Sequence, residues 1–246
     1  MALLHGIGSN ALSFTSLIEE LPPTLDILAW NAPGYAASAP LDLAQPSPAD
    51  YAAVMVRWLD AIAIERVFLC GHSLGALFAA SFAARYPSRV SGVALISPAL
   101  GYRTAGGQPL PPHVQARIDD IETLDRDTFA TSRAPRLVYA PERKPQIVAA
   151  IRDAMIALNP QGYIQAVRAL GAGDLPADAA AIAVPTAVMV GAQDVITPPT
   201  NAQTAYVPLK HPAGFYEIAD AGHALPQEDP GAVAAVLTKL VERVDA

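Results

Sequence analysis

The chain has 246 residues, 52% of them hydrophobic and 16% charged, which suits one domain with a sizeable core and an insertion. Its formal charge is −7, and the densest basic patch is the pair Arg143-Lys144, which excludes a protein that tracks nucleic-acid phosphates. The single cysteine, Cys70, excludes an intramolecular disulfide and a Cys-rich metal site and fits a reducing, cytoplasmic setting.

Short apolar runs alternate with longer helical patterns, so the predicted class is α/β, a mainly parallel sheet with helices on both faces. Strands are expected at 2–4, 26–30, 66–70, 90–97, 184–190 and 214–218. Most are continuous apolar runs, as strands buried on both faces should be. Helices are expected near 11–20, 48–63, 75–86, 199–206 and 229–243. In the last of these, Val233, Val236, Leu237, Leu240 and Val244 form an apolar stripe. The N-terminus has no charged segment followed by a long apolar stretch, so no signal peptide is read there. Residues 67–84 carry no formal charge, but Gly71, His72, Ser73 and Gly75 break up any lipid-facing helix, and no membrane association is expected.

From about 101 to 178 the rhythm changes to several helices with no convincing strand between them. Ile147, Ile151, Ala154, Met155 and Leu158 form one apolar stripe there. The expected organisation is therefore a core of residues 1–100 and 179–246, with 101–178 inserted as a helical cap. The cap would stand over the C-terminal edge of the strands, where open α/β sheets bind ligands.

Gly71-His72-Ser73-Leu74-Gly75 is a G-x-S-x-G sequence between a strand and an apolar helix, the setting of a nucleophile elbow. Such a turn lifts the Ser73 hydroxyl clear of the sheet and puts the Leu74 N–H at a helix N-terminus, where it can meet a developing oxyanion. A serine hydroxyl needs a base. Of five histidines, His223 is the candidate, because its small-residue loop leaves the same end of the sheet as the elbow. The orienting acid is read as Asp194, directly after the strand 184–190. Asp220 and Glu217 are rivals in sequence distance but poorly placed to reach the far ring nitrogen. His5-Gly6-Ile7-Gly8 follows the first strand, so the Ile7 N–H is the second expected oxyanion donor. His5 and Cys70 are read as structural.

His5-Gly6, Asn31-Ala32-Pro33-Gly34-Tyr35, the elbow, Gly191-Ala192-Gln193-Asp194 and Gly222-His223 together resemble the α/β-hydrolase superfamily over essentially the whole chain. The resemblance implies a serine hydrolase with an inserted cap. Within the superfamily, Pro160-Gln161-Gly162-Tyr163 followed by Asp174-Leu175 looks like the cap of 3-oxoadipate enol-lactonases, beside carboxylesterase-like bacterial members. Ser73 stands where the similar dehalogenases and epoxide hydrolases have Asp. Members usually carry two strands ahead of the one leading into His5-Gly6. Without them the strand 26–30 becomes an apolar sheet edge, so either the native chain starts upstream or another surface covers that edge.

The expected activity is hydrolysis of a carboxylic ester or lactone through Ser73, His223 and Asp194, with no cofactor and no metal. Tyr102, Phe129, Tyr139, Met155 and Tyr163 are the cap residues expected to contact a small, partly apolar substrate. The expected partner is a small-molecule ester, lactone or ketone, and a homo-oligomer is left open. Two other readings stand beside this one: hydrolysis of a C–C bond in a diketone, and a hydrolase-like binding protein with slow chemistry.

Overall fold

The computed structural model describes residues 1–245. Strand β1 (Ala2–Leu4) is followed by a 3-10 turn, helix α1 (Thr15–Glu20) and strand β2 (Leu28–Ala29). Then come α2 (Pro48–Ala61), β3 (Val67–His72), α3 (Leu74–Arg85) and β4 (Val90–Ile96). Five α-helices separate β4 from the next strand: α4 (Pro112–Thr123), α5 (Arg126–Arg133), α6 (Pro145–Ile156), α7 (Pro160–Ala172) and α8 (Leu175–Ala181). The chain closes with β5 (Thr186–Gly191), α9 (Pro199–Tyr206), β6 (Pro212–Ile218), α10 (Leu225–Glu228) and α11 (Pro230–Asp245). None of the described helices is long and apolar enough to cross a membrane.

The six strands form one sheet in the order β2-β1-β3-β4-β5-β6, and every neighbouring pair runs parallel. The expected α/β class is thus the observed one. Residues of the central strands alternate between two apolar layers, as a pleat with period two requires. Leu69, Val93, Leu95, Val188 and Val190 face the layer shared with α2 and α3. Phe68, Cys70, Ala94, Ile96 and Met189 face the layer shared with α1 and α11. Val114, Ile118, Phe129, Ile151 and Tyr163, from the helices after β4, belong to the same buried cluster as α2 and α3.

Local sequence explains the key elements. Helix α2 starts at a capping box in which the Asp50 carboxylate accepts the Ser47 backbone N–H at 2.7 Å, with Pro48 at the first helical position. Helix α3 is buried on all sides from Leu74 to Ala83, which suits its run of Gly, Ala, Leu and Phe.

Boundaries shift in two places that matter. Strand β3 runs two residues further than expected, so His72 ends the strand rather than sitting in the turn. The expected strand 26–30 contracts to Leu28 and Ala29, because three-residue β1 offers only Ala2 and Leu3 as partners. β2 does lie at the sheet edge. Trp30, just beyond it, is buried with its ring 5.9 Å from that of Trp58 in α2.

Candidate active site

Chain order departs from spatial order between β1 and β3, which are neighbours while β2 lies outside them. At such a switch point two loops leave the strand ends in divergent directions and open a crevice. The loops here are Gly6-Ile7 after β1 and Ser73 after β3.

Ser73 has φ 56° and ψ −114°, outside the regions open to most L-residues, at a cost of about 1–3 kcal/mol. Its neighbours make that turn feasible. A Cβ at Gly71 would lie 2.3 Å from the Gly75 carbonyl oxygen, and one at Gly75 would lie 2.0 Å from the Leu4 carbonyl oxygen. Only glycine lets the turn close on itself and lets α3 approach β1. The Ser73 N–H donates to Ile96 and its carbonyl accepts from Ala99, fixing the residue between β4 and the segment after it.

The structure brings Ser73, His223 and Asp194 together. Ser73 Oγ is 3.0 Å from His223 Nε2, and His223 Nδ1 is 2.9 Å from Asp194 Oδ2. All three are nearly excluded from solvent. Asp194 Oδ1 accepts the N–H groups of Ile196 and Thr197 at 2.8 and 2.9 Å. Burial pushes the Asp194 carboxyl up, but His223 and these N–H donors outweigh it and hold the group at about 2. A carboxylate at Asp194 in turn favours the ring tautomer with the proton on Nδ1, leaving Nε2 free to accept from Ser73. The rivals stand elsewhere: Glu217 and Asp220 are both exposed.

The loops carrying Asp194 and His223 are tied together directly. Gln193 N–H donates to the Ala221 carbonyl, and a Cβ at Gly191 would strike the carbonyls of Ala221 and Gly222.

Three further residues hold this group, and none of them is among the residues expected there from the sequence. The Thr197 hydroxyl is 3.0 Å from Asp194 Oδ2, 3.1 Å from His223 Nδ1 and 3.0 Å from the Ser97 carbonyl oxygen. His72 Nε2 donates to the His223 carbonyl at 2.7 Å; burial, then the neighbouring His223, pushes its ring down to about 3 and keeps it neutral. The Glu228 carboxylate is buried and accepts from Gly222 N–H, Tyr139 N–H and Lys144 Nζ, so it binds the His223 loop to the helical segment. The sequence signal for Thr197 was its position three residues beyond Asp194. No comparable signal marked Glu228.

The loop after β1 is equally constrained. His5 Nε2 accepts the Ala32 N–H at 3.1 Å, so its Nδ1 carries the proton and donates to the Gly6 carbonyl at 2.8 Å. Burial lowers the His5 ring to about 4. The Tyr35 hydroxyl donates to the Ile7 carbonyl at 2.6 Å, which orients the next peptide. A Cβ at Gly6 would lie 3.2 Å from Ser73 Cβ, so this loop passes directly beside the serine. Leu74 opens α3, where first-turn N–H groups lack helical acceptors. Ile7 and Leu74 both face the same cavity.

That cavity measures about 1150 Å³ and lies between the strand ends and the helices after β4. Ser73 and His223 stand in its wall, as do Tyr102, Phe129, Met155 and Tyr163. Tyr139 does not join them. It is exposed, with its ring 5.8 Å from Lys144 Nζ, because the Glu228 anchor holds its backbone outside the cavity. Cys70 is buried in the layer under α11, and burial raises its thiol to about 12, which suits packing alone. Among the described residues, no cluster of three or more His, Cys, Asp or Glu could hold a metal ion.

The profile of the Alpha/beta hydrolase family matches residues 1–236, and the chain belongs to that family. It is 30% identical over 230 residues to the pimeloyl-[acyl-carrier protein] methyl ester esterase of Chromobacterium violaceum, covering 91% of this chain and 87% of that one. It is 31% identical over 132 residues to 2-hydroxy-6-oxononadienedioate/2-hydroxy-6-oxononatrienedioate hydrolase 2 of Pseudomonas putida, covering 52% of this chain and 44% of that one. The match to another curated relative spans only 23% of that protein's length. Among solved structures, the enol-lactonase from Burkholderia xenovorans LB400 superposes with a TM-score of 0.88 at 23% identity, covering 98% of this chain and 90% of that one. A likeness at that identity speaks for the fold.

Proposed function

We propose that the protein is a serine hydrolase that cleaves a carboxylic ester or lactone through an acyl-enzyme. The observation that carries this reading is the buried chain Ser73 Oγ–His223 Nε2, His223 Nδ1–Asp194 Oδ2, with both contacts at hydrogen-bond length. His223 Nε2 takes the Ser73 proton as Oγ attacks the carbonyl carbon. The oxyanion forms beside the N–H groups of Ile7 and Leu74. The intermediate collapses, and the leaving alkoxide takes the proton from Nε2. Water then gives a proton to Nε2 and attacks the acyl carbon, and Ser73 leaves with that proton. The products are a carboxylic acid and an alcohol, or one hydroxy acid from a lactone.

In this reading Asp194 holds the ring and offsets the imidazolium charge, and residues 101–178 act as the cap that walls the cavity. Tyr102, Phe129, Met155 and Tyr163 supply the cavity's aromatic and apolar contacts. The likeness to the Chromobacterium esterase, which spans most of both chains, supports ester over other acyl chemistry.

The test is turnover of a p-nitrophenyl ester by wild type and Ser73→Ala. The variant should lose about 10⁴-fold or more. Near-normal turnover by Ser73→Ala would sink the assignment. A second reading, cleavage of a C–C bond beside a ketone, is supported by the likeness to the Pseudomonas hydrolase. Efficient turnover of a vinylogous 1,5-diketone with little ester hydrolysis would favour it.

A further inference from the structure

The cavity beside Ser73 carries more cationic than anionic side chains, against the trend of a chain with 16 basic and 23 acidic residues. Arg117, Arg133 and Arg136 line it, and among the described residues Asp120 and Asp153 are the only carboxylates in its wall. Both carboxylates are engaged. Asp120 is bound by Arg133, and Asp153 by Arg152 at the surface. Among the described residues, Arg117 and Arg136 make no ion pair.

Arg136 is exposed and water can serve it. Arg117 is different: it is half-buried on α4 and shares the cavity wall with Tyr163 of α7, which is 2% exposed. The Tyr163 ring is itself held edge-on by Phe129, with centroids 5.5 Å apart. A partly desolvated guanidinium left without an anion is costly, and its fork of N–H donors matches a carboxylate. The Tyr163 hydroxyl, from the same wall, offers one more donor to such a group.

We propose that Arg117 and Tyr163 form a carboxylate subsite, and that the substrate is a half-ester of a dicarboxylic acid. This rests on the serine-hydrolase reading of the same cavity. The free carboxylate docks on Arg117 while the esterified end reaches Ser73, and the apolar wall between them takes the methylene chain. Specificity arises because a neutral acyl chain leaves the guanidinium unpaired. Water adds across the ester bond, so the products are the dicarboxylic acid and the alcohol.

The experiment compares kcat/KM for monomethyl esters of dicarboxylic acids, from succinate to suberate, with the corresponding dimethyl esters. Wild type, Arg117→Gln and Arg117→Lys are assayed by pH-stat, with melting curves to establish that each variant folds. Wild type should prefer the half-ester at one chain length. Arg117→Gln should lower that preference by about tenfold or more, mainly through KM, and Arg117→Lys should restore part of it. A preference for the diester, or a ratio unmoved by Arg117→Gln, overturns the proposal and leaves the hydrolase reading standing. Cleavage of neither ester by wild type overturns both. On wild type alone, adipate should inhibit neutral-ester hydrolysis more strongly than hexanoate, and equal inhibition would also overturn the subsite.

Discussion

Gly75→Ala tests the close approach on which the turn at Ser73 depends. The added Cβ would sit 2.0 Å from the Leu4 carbonyl oxygen, 2.5 Å from the Leu4 carbonyl carbon and 2.8 Å from the His5 carbonyl oxygen. All three atoms are backbone, so no rotamer change relieves the clash, and strand and helix must separate by about 1 Å. Leu4 is also paired with Gly71 in the β1–β3 ladder, so the displacement strains that ladder. Overpacking typically costs 1–3 kcal/mol, and a backbone-on-backbone clash belongs at the upper end, about 3 kcal/mol. In a chain of this size that lowers Tm by about 6–12 °C. Moving Leu4 and His5 also carries the Ile7 N–H away from Ser73, which should cost about 10²-fold in kcat. Gly106→Ala is the control, since a Cβ there meets nothing within 4 Å and should change stability by no more than about 0.5 kcal/mol. Thermal and urea melts of both variants give the comparison. A Gly75→Ala protein within about 1 kcal/mol of wild type would refute the steric reasoning.

Asp194→Asn keeps an acceptor for the Ile196 and Thr197 N–H groups but turns an amide donor toward His223 Nδ1. The ring then moves its proton to Nε2 and can no longer accept from Ser73. The expected loss in kcat is roughly 10⁴-fold, read by ester turnover, and a loss under about tenfold would contradict the assigned role of Asp194. The same carboxyl contributes to acid stability. Its folded value of about 2 lies below the ordinary 3.8, so its contribution is fully present above the unfolded value and is lost as pH falls through the folded one. For a residue only 3% exposed the contribution is about 2 kcal/mol. Between about pH 4 and pH 2, wild type should therefore lose about 2 kcal/mol more stability in urea than Asp194→Asn does; equal losses would refute the link.

The strand-turn-helix around Ser73 was legible because its signals are local. An uncharged apolar run, two glycines and a series of small residues leave few other ways to fold. The loops of Asp194 and His223 could also be found, since each follows an apolar strand. The edge strand is shorter than its apolar run, because the length of β2 depends on how many residues β1 offers it, which no window around 26–30 contains. Glu228 and Arg117 escaped for a related reason. Glu228 meets Lys144 only when the helical segment lies over the strand ends, and Arg117 comes into one cavity wall with Tyr163 only where α4 packs on α7; both depend on contacts distant in sequence. Tyr139 was misplaced because an aromatic residue between helices gives no sign of which side it will face.

The most direct measurement of the central claim is intact-mass analysis after treatment with a fluorophosphonate, on wild type, Ser73→Ala and His223→Ala. A phosphonyl group attaches only to a serine that a neighbouring base has activated. Wild type should gain one adduct that peptide mapping places on Ser73, while Ser73→Ala gains none and His223→Ala reacts far more slowly. An unlabelled wild type, or an adduct of equal yield in Ser73→Ala, would contradict the account.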